Sequence, residues 1–313
     1  MRISARRISQ LLLLAQATAA LLIGWALLGH GAAPWAALLA GVGAVVGVRL
    51  AINLNNFALA ARFGSATPDG FRLGPRARLR LVAEEFCASM LVSNWLMARA
   101  SAATRIHPGS ACPPVLLLHG YGCNSGYWTH LTPLLDAARI SHATVDLEPV
   151  VAGIDDYVPA VERAVQALCA AAGAPQVVIV AHSMGGLVAR AWMRTHGHAR
   201  VARLVTLGTP HHGTALARLG LGQNAVQMRL EGTGKPSDWL RLLADSEDAT
   251  ARALVTSIYT HHDNIVSPQT SSVLPGARNV EFGGIGHVAL GANPRVLAQV
   301  MREISAVAAQ SGR

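Results

Sequence analysis

Acidic residues are almost absent from the start of this 313-residue chain. Residues 1–80 contain one acid, Asp69, and nine arginines. Residues 81–313 contain 17 basic and 16 acidic residues, so the net charge of +9 comes from the N-terminal segment. A nucleic-acid-binding domain carries its basic patch on a folded surface. These arginines lie beside long apolar runs, and we therefore expect no nucleic acid partner.

Charge of either sign is missing from residues 8–48, which contain no Lys, Arg, Asp or Glu. A helix over residues 8–28 is long enough to cross the hydrocarbon core of a bilayer, about 30 Å thick. The turn-like segment GHGAAPW separates it from a second apolar stretch, residues 34–54. Arginines flank the outer ends of the two apolar stretches and none lies in the turn between them. This distribution favours an arrangement in which both outer ends are in the cytoplasm. The sequence predicts a membrane anchor over residues 1–61, a hairpin of helices at about 8–28 and 34–54.

Two alternatives to the hairpin stay open. A single uncleaved anchor would place the following domain on the periplasmic side. A cleaved export signal, starting with MRISARR, would give a secreted protein. Apolar sequence continues beyond residue 30, which disfavours a cleaved signal.

Cysteine is scarce, and its spacing excludes two kinds of site. The four residues are Cys87, Cys112, Cys123 and Cys169. They show no C-x-x-C spacing for a metal and form no disulfide framework in a chain of this length. The histidines have no ordered spacing for zinc either. We predict no metal and no cofactor.

The remaining sequence predicts an α/β fold. Residues 62–111 read as a linker followed by an amphipathic helix at 81–100, and residues 112–313 as one domain. In that domain short apolar runs alternate with helical patterns, which is typical of a mostly parallel sheet flanked by helices. We predict strands at 114–120, 142–147, 176–183, 201–210, 252–260 and 278–284. Residues 211–251 are irregular and are expected to form a small cap.

A serine lies at the sharpest predicted corner of the domain. The segment QVVIVAHSMGGLVARAW, residues 176–192, runs from a buried strand into a helix with Ser183 between small residues. This resembles the nucleophile elbow of the α/β-hydrolases, G-x-S-x-G, with Ala181 in place of the first glycine. The resemblance implies that Ser183 is a nucleophile supported by His182 and Gly185. The helix N-terminus also favours negative charge nearby.

A second glycine-containing loop precedes the serine. The segment LLLHGYGCNSGYW, residues 116–128, resembles the oxyanion loop of lipases and esterases. The resemblance implies an oxyanion hole formed by the backbone N–H groups of Tyr121 and Met184. His119, Gly120 and Gly122 would support that loop, since glycine lets the backbone come close to an ester.

An acid and a base follow the serine in the order Ser, Asp, His that this fold uses. SIYTHHDNIVSP carries Asp263 after a predicted strand, and FGGIGHVAL carries His287 after the last one. Both phrases resemble motifs of small bacterial triacylglycerol lipases. Asp263 is expected to accept a hydrogen bond from one ring nitrogen of His287, leaving the other for the proton of Ser183.

Other histidines and acids are weaker candidates. His211, in GTPHHGT, is expected to support the site rather than act as its base. His212, in the same phrase, is expected to have a supporting role too, and His261 and His262 are expected to be loop or surface residues. The acids Asp146, Asp155 and Asp156 precede the serine and would break the chain order.

Together these motifs resemble the bacterial lipase and esterase type of α/β-hydrolase over residues 112–310. The resemblance implies cofactor-free cleavage of a carboxylic ester or lipid beside a bilayer. The predicted hairpin, with both of its ends in the cytoplasm, places the catalytic domain on the cytoplasmic side of a bacterial inner membrane. Acyl transfer or thioester cleavage on the same fold remains an alternative, and so does a non-catalytic binding protein at the membrane. The sequence does not indicate an oligomeric state.

Overall fold

The described residues, 4–231 and 234–311 of this computed structural model, form one seven-stranded sheet and a separate two-stranded hairpin. The strands are, in chain order, β1 (Thr104–Arg105), β2 (Val115–Leu118), β3 (His142–Val145), β4 (Val177–His182), β5 (Val201–Leu207), β6 (Leu230–Glu231), β7 (Lys235–Pro236), β8 (Val255–Thr260) and β9 (Arg278–Phe282).

The helices enclose the sheet and precede it. They are α1 (Ala5–Gly29), α2 (Pro34–Phe63), α3 (Pro75–Leu91), α4 (Met97–Arg99), α5 (Thr132–Ala137), α6 (Val158–Ala172), α7 (Met184–His196), α8 (Gln223–Gln227), α9 (Asp238–Asp245), α10 (Ala249–Ala253) and α11 (Pro294–Ser311).

The large sheet has the strand order β1-β3-β2-β4-β5-β8-β9. Every pairing is parallel except that of β1 with β3, a two-residue antiparallel edge that the sequence pattern did not predict. All six predicted strands are present, each trimmed by a few residues at its ends. The predicted α/β class with a mostly parallel sheet is confirmed.

Strand β4 lies at the centre of the sheet, and all of its residues are buried. Side chains alternate between the two faces of a strand. Ile179 and Ala181 therefore join one apolar cluster while Val178 and Val180 join the other. A strand buried on both faces reads as a continuous apolar run, which is why residues 176–181 lack the polar alternation of an exposed sheet.

Helices cover both faces of this sheet. Helix α6 turns buried valines toward one face at helical spacing, together with the buried face of α7. Helix α11 presents Val296, Val300 and Ile304 to the other face, where α5 also packs. Spacings of three and four residues place such side chains on one stripe of a helix. The two clusters hold β4 and the corner that follows it between layers.

Helices α1 and α2 form an antiparallel hairpin with an apolar surface. Only 6% of the most apolar stretch of α1 and 11% of that of α2 are buried. Large exposed side chains include Leu21, Trp25, Trp35 and Leu38. Both helices are long and apolar enough to cross a membrane and are candidate spans. Helix α2 ends at Phe63, beyond the expected residue 54, because its last turns pack against the sheet domain.

The base of the hairpin is bonded to the rest of the chain. The Ser267 hydroxyl donates to the carbonyl of Ala60 at 3.0 Å, and the Ser9 hydroxyl donates to the carbonyl of Ser93 at 2.7 Å. The Ser65 N–H donates to the side chain of Gln269 at 3.0 Å. The polar residues near the ends of α1 and α2 therefore face protein, and the apolar middle is left exposed.

The segment between the hairpin and the sheet is more helical than its composition indicated. Helix α3 starts at Pro75, inside the stretch read as a linker, because proline fits the first turn of a helix. A π-helical turn, Val92–Leu96, then leads into α4, so the predicted helix at 81–100 is one part of a longer and irregular helical segment.

The segment where a cap is expected, described over residues 211–231 and 234–251 and called the cap, contains short helices and the paired strands β6 and β7. A buried ion pair joins this cap to the sheet. Arg190 of α7 is 1% exposed, and its guanidinium donates to both carboxylate oxygens of Glu247, at 2.6 and 2.8 Å. Removing one partner of such a pair leaves an uncompensated buried charge.

Glu247→Gln is therefore expected to destabilise the fold by about 3 kcal/mol, because it strands the charge of Arg190. Asp69→Asn is the matched control, since it removes one carboxylate charge from an exposed pair with Arg72 and is expected to change stability by about 1 kcal/mol or less. Unfolding of the detergent-solubilised chain measures both. Equal losses of stability in the two variants would contradict the assigned role of the buried pair.

Candidate active site

Ser183 occupies a strained corner between β4 and α7. Its φ is +53° and its ψ is −124°, a region that non-glycine residues rarely adopt. Two hydrogen bonds hold the corner. The Ser183 N–H donates to the carbonyl of Leu207 at 2.8 Å, and the Thr209 hydroxyl donates to the Ser183 carbonyl at 2.8 Å. Strain of this kind persists only where the surroundings enforce it.

The residues around the serine are small because other backbone lies against them. A Cβ at Gly185 would lie 2.5 Å from the carbonyl oxygen of Leu118 and 2.6 Å from that of His119. Only glycine lets α7 begin so close to the end of β2. Ala181, which replaces the first glycine of the motif, is buried in the apolar cluster, where its methyl group packs.

His287 and Asp263 form a buried pair at the carboxyl ends of the last two strands. The distance between His287 Nδ1 and Asp263 Oδ2 is 2.7 Å. The side chains are 5% and 2% exposed. Asp263 Oδ1 also accepts from the N–H groups of Ile265 and Val266, at 2.8 and 2.7 Å. With Nδ1–H donating to Asp263, the other ring nitrogen of His287 is free to accept a proton.

The electrostatics of this pair favour a basic imidazole. Burial alone would lower the pKa of His287, but the charge of Asp263, its hydrogen bond and the charge of Glu85 outweigh burial. The net effect is a pKa of His287 above its ordinary value. A general base works best when its pKa lies near the working pH.

His182 lies beside this pair, and its ring is neutral. Its ring stacks on Tyr127 with centroids 3.9 Å apart and lies 4.6 Å from the ring of His287. His182 Nε2 contacts the carbonyl oxygen of His287 at 3.3 Å. Burial, followed by the charge of His287, lowers the pKa of His182 well below its ordinary value. It supports the loop of His287 instead of exchanging protons at the site.

The loop expected to supply the oxyanion hole lies against the serine. Gly120 lies next to Ser183 and His182, and Gly122 has a φ of +62°. His119 Nδ1 contacts the carbonyl of Gly120 at 2.9 Å, and its Nε2 accepts from the N–H of Leu147 at 2.9 Å. Burial lowers the pKa of His119, which is consistent with this neutral, bridging ring.

The two N–H groups expected to form the hole belong to Met184 and Tyr121, which directly follow Ser183 and Gly120 in the chain. Met184 is the first residue of α7, and the first N–H groups of a helix have no intrahelical acceptor. Tyr121 follows Gly120 in the loop, and its hydroxyl bonds to the backbone of Leu221 at 2.8 Å. The cap therefore fixes the tyrosine side chain.

The remaining histidines have structural partners. The His211 ring contacts Arg190 at 3.2 Å and the Ser257 hydroxyl at 3.2 Å. Burial and then the charge of Arg190 lower the pKa of His211 well below its ordinary value. His261 pairs with Glu281 at 2.9 Å. The supporting role expected for His211 stays a prediction.

Several residues at the site were not predicted from the sequence. Thr209 holds the corner, and the Asn264 side chain accepts from the His287 N–H at 3.0 Å. Glu85 bonds to the backbone after His287, and Asn56 of α2 lines the pocket at Ser183. The position of Asn264 directly after Asp263 is a local signal. Nothing in the sequence around Asn56 or Glu85 indicates contact with residues more than 100 positions away.

A cavity of about 230 Å³ opens at Ser183. Its lining is mostly apolar, from the cap and from the loop after Asp263, with one wall from the hairpin. The lining residues are Asn56, Tyr121, Ser183, Pro210, Thr214, Leu216, Ala217, Leu219, Gly220, Ala225, Met228, Ile265 and Val266.

One cluster has the side chains of a metal site. The ligand atoms of His107, Asp136 and His142 lie within 4.8 Å of one another. His107 already bonds to Asp136 at 3.0 Å, and Arg105 lies 3.5 Å from the same carboxylate. The cluster is at the amino end of β3, at the opposite edge of the parallel sheet from Ser183. It takes no part in the site at the serine.

Comparison with known proteins agrees with this geometry. A family profile described as alpha/beta hydrolase fold matches residues 113–231, which contain the loop at Tyr121 and the corner at Ser183. The structure is similar to the mature lipase BlEst2 of Bacillus licheniformis, with 19% identity and a TM-score of 0.56 over 65% of this chain and 97% of that one.

A second similar structure is lipase B of Aspergillus fumigatus, with 20% identity and a TM-score of 0.55. That match covers 66% of this chain and 56% of the fungal one. At such identities the likeness concerns the fold alone. The strand order, the parallel sheet and the corner after β4 agree with it, and the chain has the α/β-hydrolase fold.

Proposed function

We propose that this protein is a membrane-anchored serine hydrolase that cleaves carboxylic esters through an acyl-enzyme on Ser183. The observation that carries the proposal is the buried contact of 2.7 Å between His287 and Asp263. The strained serine lies at the end of a neighbouring strand, with a largely apolar cavity beside it. The similarity in fold to a bacterial and a fungal lipase supports the same reading.

In the acylation step Ser183 Oγ attacks the carbonyl carbon of the ester, and His287 Nε2 takes its proton. This transfer requires the two atoms to come within about 2.6–3.2 Å, a contact that often tightens only in the substrate complex. Asp263 stabilises the imidazolium that forms. The N–H groups of Met184 and Tyr121 bind the oxyanion, and His287 then protonates the leaving alcohol.

In the deacylation step water replaces the alcohol. His287 removes a proton from the water as its oxygen attacks the acyl carbonyl carbon. The tetrahedral intermediate collapses, the carboxylic acid leaves, and the proton returns from His287 to Ser183 Oγ. The free enzyme is regenerated without a cofactor.

The cavity at Ser183 suits the acyl part of the ester. Its apolar lining favours a hydrocarbon chain, and its volume of about 230 Å³ is below the range of roughly 300–1,000 Å³ that holds drug-sized ligands. We therefore assign it a short or medium acyl chain. Leu219 lines the cavity and is itself exposed, so an apolar side chain connects the lining with the surface.

The anchor is assigned to α1 and α2, with the catalytic domain on the cytoplasmic side of a bacterial inner membrane. Arginines at both outer ends of the hairpin support this side. The bonds from Ser9 to Ser93 and from Ser267 to Ala60 favour retained helices over a cleaved leader. Asn56 of α2 lies in the cavity wall, so substrate enters beside the membrane.

Ser183→Ala is expected to lower kcat for p-nitrophenyl esters by about 10⁴-fold or more, because the nucleophile is lost. Labelling by a fluorophosphonate probe disappears in the same variant. Ser246→Ala is the matched control, since this exposed serine bonds only within its own turn, and it keeps wild-type activity and labelling. A folded wild-type protein that neither reacts with the probe nor hydrolyses any ester would exclude the proposed function.

Asn56→Phe is expected to shrink the cavity and to lower kcat/KM for medium-chain p-nitrophenyl esters more than for the acetate. The measurement is kcat/KM against rising chain length for the full chain in detergent. Asn55→Phe places the same ring on the exposed side of α2 and leaves the series unchanged. If both variants give the wild-type series, the cavity does not hold the acyl chain.

The pH dependence follows from the raised pKa of His287, which must be neutral to accept a proton. Hydrolysis therefore declines as the pH falls through that pKa. Asp263→Asn removes the charge that raises the pKa, so the acidic limb of kcat/KM moves to lower pH. The same change lowers kcat by about 10⁴-fold, because the ring loses its orienting acceptor.

The control for this prediction is Asp155→Asn. Asp155 pairs with Arg194 at the surface and comes before Ser183 in the chain. We expect wild-type kcat and a wild-type pH profile. The outcome that contradicts the assignment is an Asp263→Asn enzyme with an unmoved acidic limb.

A further inference from the structure

Two consecutive glutamates of α3 have opposite environments. Glu84 is partly exposed, with 41% of its side chain accessible, and pairs with Arg80 on the helix surface, whereas Glu85 is 1% exposed. Glutamate is almost never fully buried unless its charge has partners. The burial of Glu85 therefore indicates a specific contact.

That contact is with the backbone directly after His287. Glu85 Oε1 accepts from the N–H of Val288 and Oε2 from the N–H of Ala289, both at 2.9 Å. These N–H groups begin the 3-10 turn Val288–Gly291, for which His287 is the N-terminal flanking residue. Both oxygens face donors, so the contact fits the ionised carboxylate.

The residue before His287 is held by the same side chain. A Cβ at Gly286 would overlap the carboxylate of Glu85, so the glycine allows this close approach. The Asn264 side chain holds the N–H of His287 itself at 3.0 Å. Glu85 therefore contacts residues 286, 288 and 289, on both sides of His287.

We infer that Glu85 is a positioning residue for the base, acting through the backbone on both sides of His287 and through its negative charge. The inference rests on the proposed function of His287. Glu85 lies on α3, outside residues 113–231 that match the hydrolase profile. The N-terminal segment of this chain thus completes the catalytic loop.

The charge reaches His287 as well as the backbone. The charge of Glu85 raises the pKa of His287, in the same direction as the charge of Asp263. The pKa of Glu85 lies above its ordinary value, because burial, with the charge of Asp263 acting in the same direction, outweighs the two N–H bonds and the charge of His287. The other titratable groups facing this region are His182, which stays neutral, and Tyr127, whose pKa burial raises. An imidazolium formed during the reaction is therefore flanked by two carboxylates.

The test uses the full chain in detergent micelles, with kcat and KM for a p-nitrophenyl ester measured across pH. Glu85→Gln keeps the shape, but its NH₂ group faces one of the two N–H donors and its charge is gone. We expect kcat to fall by up to about a hundredfold with little change in KM, since the base is displaced. The acidic limb moves to lower pH, because a charge that raises the pKa of His287 is lost.

Glu85→Asp distinguishes the effect of the negative charge from the effect of the side-chain length. It keeps the negative charge but is one methylene shorter, so it loses an N–H contact. We expect a reduced kcat with an acidic limb closer to the wild-type position than in Glu85→Gln. Glu84→Gln removes the neighbouring, partly exposed charge and is expected to leave kcat and the pH profile unchanged.

The outcomes distinguish this inference from the proposed function. If the wild type is active and folded Glu85→Gln has the same kcat and pH profile, the role of Glu85 is overturned and the proposed function stands. A lower unfolding temperature with an unmoved acidic limb makes Glu85 merely structural and also overturns it. If Glu85→Gln does not fold, a wild-type kcat in Glu85→Asp has the same consequence. A wild type that reacts with no ester or fluorophosphonate rejects the proposed function instead.

Discussion

The contact between His287 and Asp263 is the interaction on which the rest of the site depends. The carboxylate is held by two backbone N–H groups of its own loop, so it cannot turn away from the ring. The backbone of the loop that carries the ring bonds to Asn264, His182 and Glu85, which come from three separate elements. An imidazole on such a loop fits the proposed role of Ser183, because a nucleophile needs an acceptor for its proton.

The sheet domain was largely predictable from the sequence. Buried parallel strands read as apolar runs, and the run before Ser183 ends in small residues for a reason that the structure makes plain, since α7 starts against the backbone of β2. Asp263 and His287 were named from local phrases that follow strands, and the structure brings them into contact. These features depend on short segments, where pattern and chemistry coincide.

The parts that were not predictable depend on distant contacts. Glu85 was not predicted to lie at the site, because its partners lie about 200 residues later in the chain. Helix α2 was expected to end near residue 54, but it continues to Phe63, and the carbonyl of Ala60 in its last turn bonds to Ser267. Composition alone cannot distinguish a polar residue that is exposed to water from one that packs against the folded domain. For the same reason, the start of α3 at Pro75, inside the predicted linker, was not predicted.

The attachment of the N-terminal segment has a further consequence. The Gln269 side chain accepts from the N–H of Ser65 and donates to the carbonyl of Asp263, so this segment braces the acid loop while α3 braces the loop of the histidine. Asn56 of α2 also lines the cavity at Ser183. An unrelated helix in the place of α2 would leave that part of the lining open. The N-terminal segment therefore shapes the surroundings of Ser183 in addition to supplying two candidate membrane spans.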